Sequence, residues 1–179
     1  MDRIHHVRLM ASYNASMNTS VYQAARQLQA DALGADRKAF FGSILGTLNH
    51  LVNADVIWLK RFAGHPAHYP QLDAVRALPD PAGLGAIGFS DIGSLWERRR
   101  WLDELILAWT AAIRDADLDH AVHYVNSRGA ADKNFFSLLM HFFNHQTHHR
   151  GQASTLLSQQ GIDIGVTDLL ALIPDEGRG

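Results

Sequence analysis

Apolar positions recur at helical spacing in four long stretches, which predicts four helices. The first runs from about Ile4 to Ala32, with Val7, Met10, Met17, Val21, Ala24 and Leu28 in step, and ends near Gly34. The second runs from about Arg37 to Phe62, with Asp36 as its cap and Gly64 and Pro66 as its stop. The third runs from about Asp91 to Asp115. Ser94-Leu95-Trp96-Glu97 has the form of a capping box, and Leu95, Leu102, Leu105, Ile106, Trp109 and Ile113 make its apolar face. The fourth runs from about Asp132 to Gln160 and closes on Gly161. The pattern gives an all-α protein, read as one domain over residues 1–179, large enough for a real core.

Two connections and the C-terminal segment carry information. Gly64 to Phe89 holds four of the five prolines and joins the second and third helices, so the bundle need not be simple up-down-up-down. Leu118 to Gly129 has the composition of a short extended hairpin turning at Asn126-Ser127-Arg128-Gly129. Thr167 to Pro174 reads as a short helix that packs back and stops at proline. The apolar face of the second helix, built by Phe40, Phe41, Leu45, Leu48, Val52, Val56 and Leu59, is too wide for one partner groove. A face shared between the core and a second subunit would make the protein a homodimer.

Composition narrows the chemistry. The net charge of −2 gives no general electrostatic case for nucleic acid or an anionic membrane as partner. Cysteine is absent, which removes disulfides, thiolate metal sites and protein thiol catalysis and fits a reducing cytoplasm. The N-terminal residues lack the apolar core of a signal peptide, and no apolar run is long enough to span a bilayer. A cytoplasmic location is the expectation. Eleven histidines are many for this length, and no terminal tag accounts for them.

The histidines concentrate in Asn144-His145-Gln146-Thr147-His148-His149-Arg150-Gly151-Gln152. His145 and His149 are four apart, about 6 Å along a helix axis, a spacing at which two imidazoles can close on one metal ion. Phe135, Leu138, Leu139, Phe142, Ala153, Leu156 and Leu157 form the apolar stripe. At about 100° per residue His149 falls within that stripe and His145 at its margin, while His141 and His148 face water or a rim. A pair of satisfied core histidines is the plain alternative to ligation. A metal site needs a third ligand from another element. His50 lies at the edge of the broad face of the second helix, so an inward position is permitted but not demanded. Asp55 is its rival, because a charge amid that face needs a partner. The two point roughly 140° apart and cannot easily serve one ion. His5, His6, His65, His68, His120 and His123 lie near a chain end or in connections and are expected to be solvated.

Leu48-Asn49-His50 followed by Asp55-Val56-Ile57-Trp58-Leu59 resembles the second helix of DinB/YfiT-like proteins, and Asn144 to Gln152 resembles their most recognisable motif. The likeness covers nearly the whole chain. It implies a four-helix bundle with a long crossover between the second and third helices. It also implies a divalent metal held by three histidines, here His50, His145 and His149. Zinc or nickel suits such nitrogen ligands best, with iron or manganese also accommodated. Three neutral ligands leave open positions, the layout of a catalytic rather than a structural site. Relatives are thiol-dependent transferases and isomerases using low-molecular-weight thiols; others are described as metal-dependent hydrolases, which would use a metal-bound water. A thiol would arrive as cosubstrate. A metal-binding stress protein without turnover and a helical interaction module are the non-enzymatic readings. Asp55, Tyr13 and Tyr124 are general-base candidates by residue type only. The resemblance also implies a homodimer.

Overall fold

The computed structural model describes residues 2–175 and Gly177. Four long helices form the bundle: α1 (Arg3–Ala25), α3 (Ile44–Phe62), α5 (Ile92–Ala112) and α6 (Phe135–Ser158). Two short helices, α2 (Ala30–Gly34) and α4 (Asp73–Arg76), lie in connections. Both α1 and α3 pack against α5 and α6, so the core lies between two helix pairs. A two-stranded antiparallel sheet, β1 (Ala121–Asn126) and β2 (Gly129–Asn134), precedes α6. No described helix is long and apolar enough to cross a membrane.

Element ends differ from the periodicity where side chains cap or turn the backbone. The first helix stops at Ala25, and the chain bends so that Leu33 of α2 drops into the core near α3. α3 begins at Ile44, capped by Ser43, whose hydroxyl oxygen accepts from the Gly46 N–H at 2.9 Å. Asp36 instead closes a turn on the Lys38 N–H, and Lys38 and Gly42 adopt left-handed backbone at φ 57° and 73°. An added Cβ on Gly46 would meet the Phe41 carbonyl oxygen at 2.1 Å, so glycine permits this loop to cross the helix start. α5 is capped by Asp91, which accepts from the Ser94 N–H, rather than by a box at Ser94. The hairpin is longer than its composition suggested, and β2 (Gly129–Asn134) takes residues 132–134 that periodicity gave to the fourth helix. Asn134 then caps α6 through the Ser137 N–H. The C-terminal segment makes only a 3-10 turn at Leu169–Leu172, with none of its residues buried. It is anchored where the Tyr13 hydroxyl donates to the Thr167 carbonyl at 2.6 Å.

α3 is buried nearly all round over Ile44–Val56. Its breadth is taken up within the chain. The Asn49 amide donates to the Phe89 carbonyl and accepts from the Gly88 and Phe89 N–H groups. Asn53 donates to the Ala86 carbonyl at 2.8 Å, and Lys60 to the Leu78 carbonyl at 2.8 Å. The crossover is thus fastened along one side of α3 by side chains. Of the residues that made the face wide, Phe40 lies before the helix and stays 86% exposed, so the expectation of a dimer rests on that residue and on the resemblance.

A ring of buried polar groups joins all four long helices. Gln146 of α6 donates to Asp55 of α3 at 2.7 Å, and Arg99 of α5 donates to the same carboxylate at 2.5 Å. Arg99 also pairs with Asp103 at 3.0 Å, and Asp103 accepts from Asn14 and Asn18 of α1. Arg150 of α6 closes the ring by donating to Asn14. Every member is buried. Burial pushes the Asp103 carboxyl up to about 6 against the pull of Arg99, still below neutrality, and burial likewise raises Asp55 against the pull of Arg99 and Gln146. Removing one partner of a buried pair typically costs about 3–5 kcal/mol, because the other charge stays buried alone. Arg99→Met should therefore lower stability by about 3–5 kcal/mol in urea unfolding; a loss of about 1 kcal/mol or less, the worth of an exposed pair, would show that the ring does not hold the bundle.

Candidate metal centre

His50, His145 and His149 converge. Each offers one ring nitrogen, and the three nitrogens lie within 4.8 Å of one another. Ring centroids are 5.1 Å apart for His50 and His145, and 4.4 Å for His149 against either. Nε2 of His50 lies 3.3 Å from Nε2 of His145. Two nitrogens on one ion at about 2.1 Å stand about this far apart when their angle is near tetrahedral.

Hydrogen bonds behind the rings fix which nitrogen is free. Nδ1 of His50 lies 2.9 Å from the Leu84 carbonyl in the crossover. A carbonyl only accepts, so Nδ1 carries the proton and Nε2 keeps its lone pair. Nδ1 of His149 lies 2.8 Å from Oε1 of Gln152, leaving its Nε2 as the ligand nitrogen. The Gln152 amide is itself oriented by donating to His148 Nε2 at 3.2 Å. Phe41 walls one side, stacked on the His50 ring at 3.8 Å with its edge toward His149.

The stripe of α6 differs from the wheel. The buried line runs through Phe142, Gln146, Arg150 and Ala153, and both His145 and His149 sit on its flank, partly exposed and facing α3. Polar Gln146 and Arg150 take the central positions because the buried ring supplies their partners. His141 and His148 are exposed, as their wheel positions suggested. Asp55 is inward and finds its partner in Arg99, not in a metal cluster.

His65 departs from the expectation of a solvated histidine: it is fully buried. Its Nδ1 accepts from the Ala67 N–H, its Nε2 donates to the Asp117 carbonyl, and its ring packs on Phe135. Both nitrogens are satisfied, so it is a core histidine. Two second-layer contacts escaped the sequence reading. The Leu84 carbonyl is backbone and has no side-chain signature. Gln152 was detectable in principle, because i,i+3 and i,i+4 spacings bring it to His149 and His148.

Burial lowers the pKa of all three histidines. That of His145 is pushed down to about 3, first by burial and then by the neighbouring His149 and His50. All three are therefore neutral at pH 7 and able to ligate. An all-helical bundle with three converging neutral imidazoles can hold a divalent metal ion. The DinB family model matches residues 4–176, nearly the whole chain, and the chain belongs to the DinB family. No curated protein and no solved structure matches it.

The same shift sets a pH dependence. An unfolded histidine takes up its proton near pH 6.5, whereas folded His145 does so only near 3. The associated stability is present above about pH 6.5 and is lost as pH falls toward 3. The midpoint of thermal unfolding of metal-free protein should fall as pH drops from 7 to 5, less steeply in His145→Gln. Comparison with that variant separates His145 from Asp103, whose raised pKa acts in the opposite sense. An unchanged slope in the variant would contradict the assignment.

Proposed function

We propose that this DinB-family protein is a metal-dependent enzyme whose divalent ion is held by His50, His145 and His149 and whose substrate is a small thiol, in an S-transfer or isomerisation reaction. The observation that carries the reading is the triad itself: three converging neutral imidazoles, two of which have their proton-bearing nitrogens tied back, His50 to Leu84 and His149 to Gln152. When bound, the ion supplies a Lewis-acid face that lowers the pKa of a coordinated thiol or water. Zinc or nickel suits the donor set, and iron or manganese is accommodated by the same nitrogens.

The chain's own residues do the rest. His50 is oriented by the crossover through Leu84, and His149 by Gln152. Phe41 covers one flank and excludes water from the His50 ring face. Among the described residues no carboxylate joins the cluster. Asp55, the nearest acid in sequence to a ligand, is held by Arg99 and Gln146. That favours a thiol, whose pKa near 8.5 leaves it within reach of ionisation without a protein base. Hydrolysis through an activated water is the alternative, and it lacks the carboxylate base found beside the histidines of helical zinc hydrolases.

His145→Ala should abolish stoichiometric metal in untagged protein, while His148→Ala should keep most of it; equal loss in the two variants would refute the ligand set. For the substrate class, 2-mercaptoethanol added to cobalt-loaded protein should produce a sulfur-to-metal charge-transfer band. If no thiol alters the spectrum while an ester or amide turns over, hydrolysis is the correct reading. For the expected homodimer, sedimentation equilibrium gives the answer directly.

A further inference from the structure

We propose that the three-histidine centre is one end of an elongated substrate site whose far end is Arg61, and that the thiol or the molecule it reacts with is an organic acid whose carboxylate Arg61 receives. This rests on the metal-dependent reading above.

Arg61 is a partly buried cation that makes no ion pair among the described residues, whereas its neighbour Lys60 is matched to Asp80 at 2.5 Å. Its guanidinium carbon lies 4.6 Å from the Trp58 ring centre and 4.7 Å from that of Tyr124. Burial at this position pulls its pKa below the usual arginine value, a sign of incomplete hydration. The two ring centres are only 5.5 Å apart, so both rings crowd one side of the guanidinium, and its N–H donors on the other side are left for a carboxylate, which pairs with two of them at once. Arg61 also lines a cavity of about 390 Å³ with Ile57, Gly64, Tyr124, Val125, His123 and the Lys60–Asp80 pair; Asp80 is already matched by Lys60, which leaves Arg61 as the cation open to a ligand group.

A file of rings connects this cation to the metal centre. His145 lies 6.0 Å from His141, His141 lies 5.0 Å from Trp58, and Trp58 lies 5.5 Å from Tyr124. His141 is exposed, and His145 and Trp58 are partly exposed, so the file is reachable from solvent. His50 and Arg61 are eleven residues apart on α3, which puts them within about 20° on one face and about 16 Å apart along the axis. Helical side chains lean toward the N-terminus, which brings the Arg61 tip closer to the centre than its backbone. The site therefore suits a molecule that reacts at one end, lies along π faces in the middle and carries its charge at the other end.

The plain alternative is that Arg61 only braces the hairpin against α3 by stacking. A ladder of α,ω-dicarboxylates and their monomethyl esters separates the two, read by the visible band of cobalt-loaded protein. Short diacids should show little advantage over their esters. Diacids long enough to span the two ends should bind about tenfold more tightly or better, the worth of a charge-assisted pair. Arg61→Gln should erase that advantage. Arg98→Gln, which removes a different aromatic-stacked arginine over Phe89 and Trp101, should retain it. An advantage of about twofold at every length, the statistical gain of two equivalent ends, would overturn the proposal, and unaltered protein alone suffices to show it. So would a length-dependent advantage that survives Arg61→Gln. Failure of the protein to take up cobalt would fell the metal reading and this inference together, whereas a loaded protein with a flat series fells only the inference.

Discussion

Arg99 is the constraint on which the arrangement depends. It stands fully buried between Asp55 and Asp103, and through these two carboxylates the amides of α1 and α6 are drawn to α3 and α5. A hydrophobic core tolerates helices that roll or slide, because apolar contact has no direction. Buried charges do have direction: each must keep its partner or stand desolvated alone. The ring therefore sets the rotation of each long helix about its axis. On α6 that setting is visible residue by residue, since Gln146 and Arg150 in the ring immediately follow His145 and His149 in the chain. Turning the first pair inward presents the second pair to α3.

The other side of α3 completes the arrangement. His50 and Asp55 project in different directions, so the helix gives one residue to the ring and another to the three-histidine cluster. The crossover reaches the centre by backbone alone, through the Leu84 carbonyl, and is held in place by Asn49 and Asn53. Crossover and centre are thus one mechanical unit. Conditions that loosen residues 83–89 also free the His50 ring to turn.

Much of this was legible in the sequence. The four helices, the long crossover and the exposed positions of His141 and His148 follow from spacing alone. A carboxylate amid apolar positions must have a partner, and Asp55 has one in Arg99. Its identity was not legible, because Arg99 lies within Arg98-Arg99-Arg100, a run that looks like a solvated surface. For the same reason the wheel set His149 within the buried stripe, where the structure puts Gln146 and Arg150 at its centre and His149 on its flank. Burial there is decided by pairing rather than by hydrophobicity. The ligand set itself needed the family resemblance, since the wheel left His50 open. His65 was misjudged because it lies in a connection; the Asp117 carbonyl that satisfies it is distant in sequence.

A fold that spends two buried ion pairs on orienting helices also fixes the direction of what those helices carry, and here it carries three neutral imidazoles toward one point. The most direct test is anomalous diffraction from crystals loaded with zinc or nickel. The account predicts one strong peak bound to Nε2 of His50, His145 and His149 at about 2.0–2.2 Å, with Nδ1 of His50 still on the Leu84 carbonyl. A peak on other histidines, such as His65 and His120, or ligation through Nδ1 of His50, would contradict it.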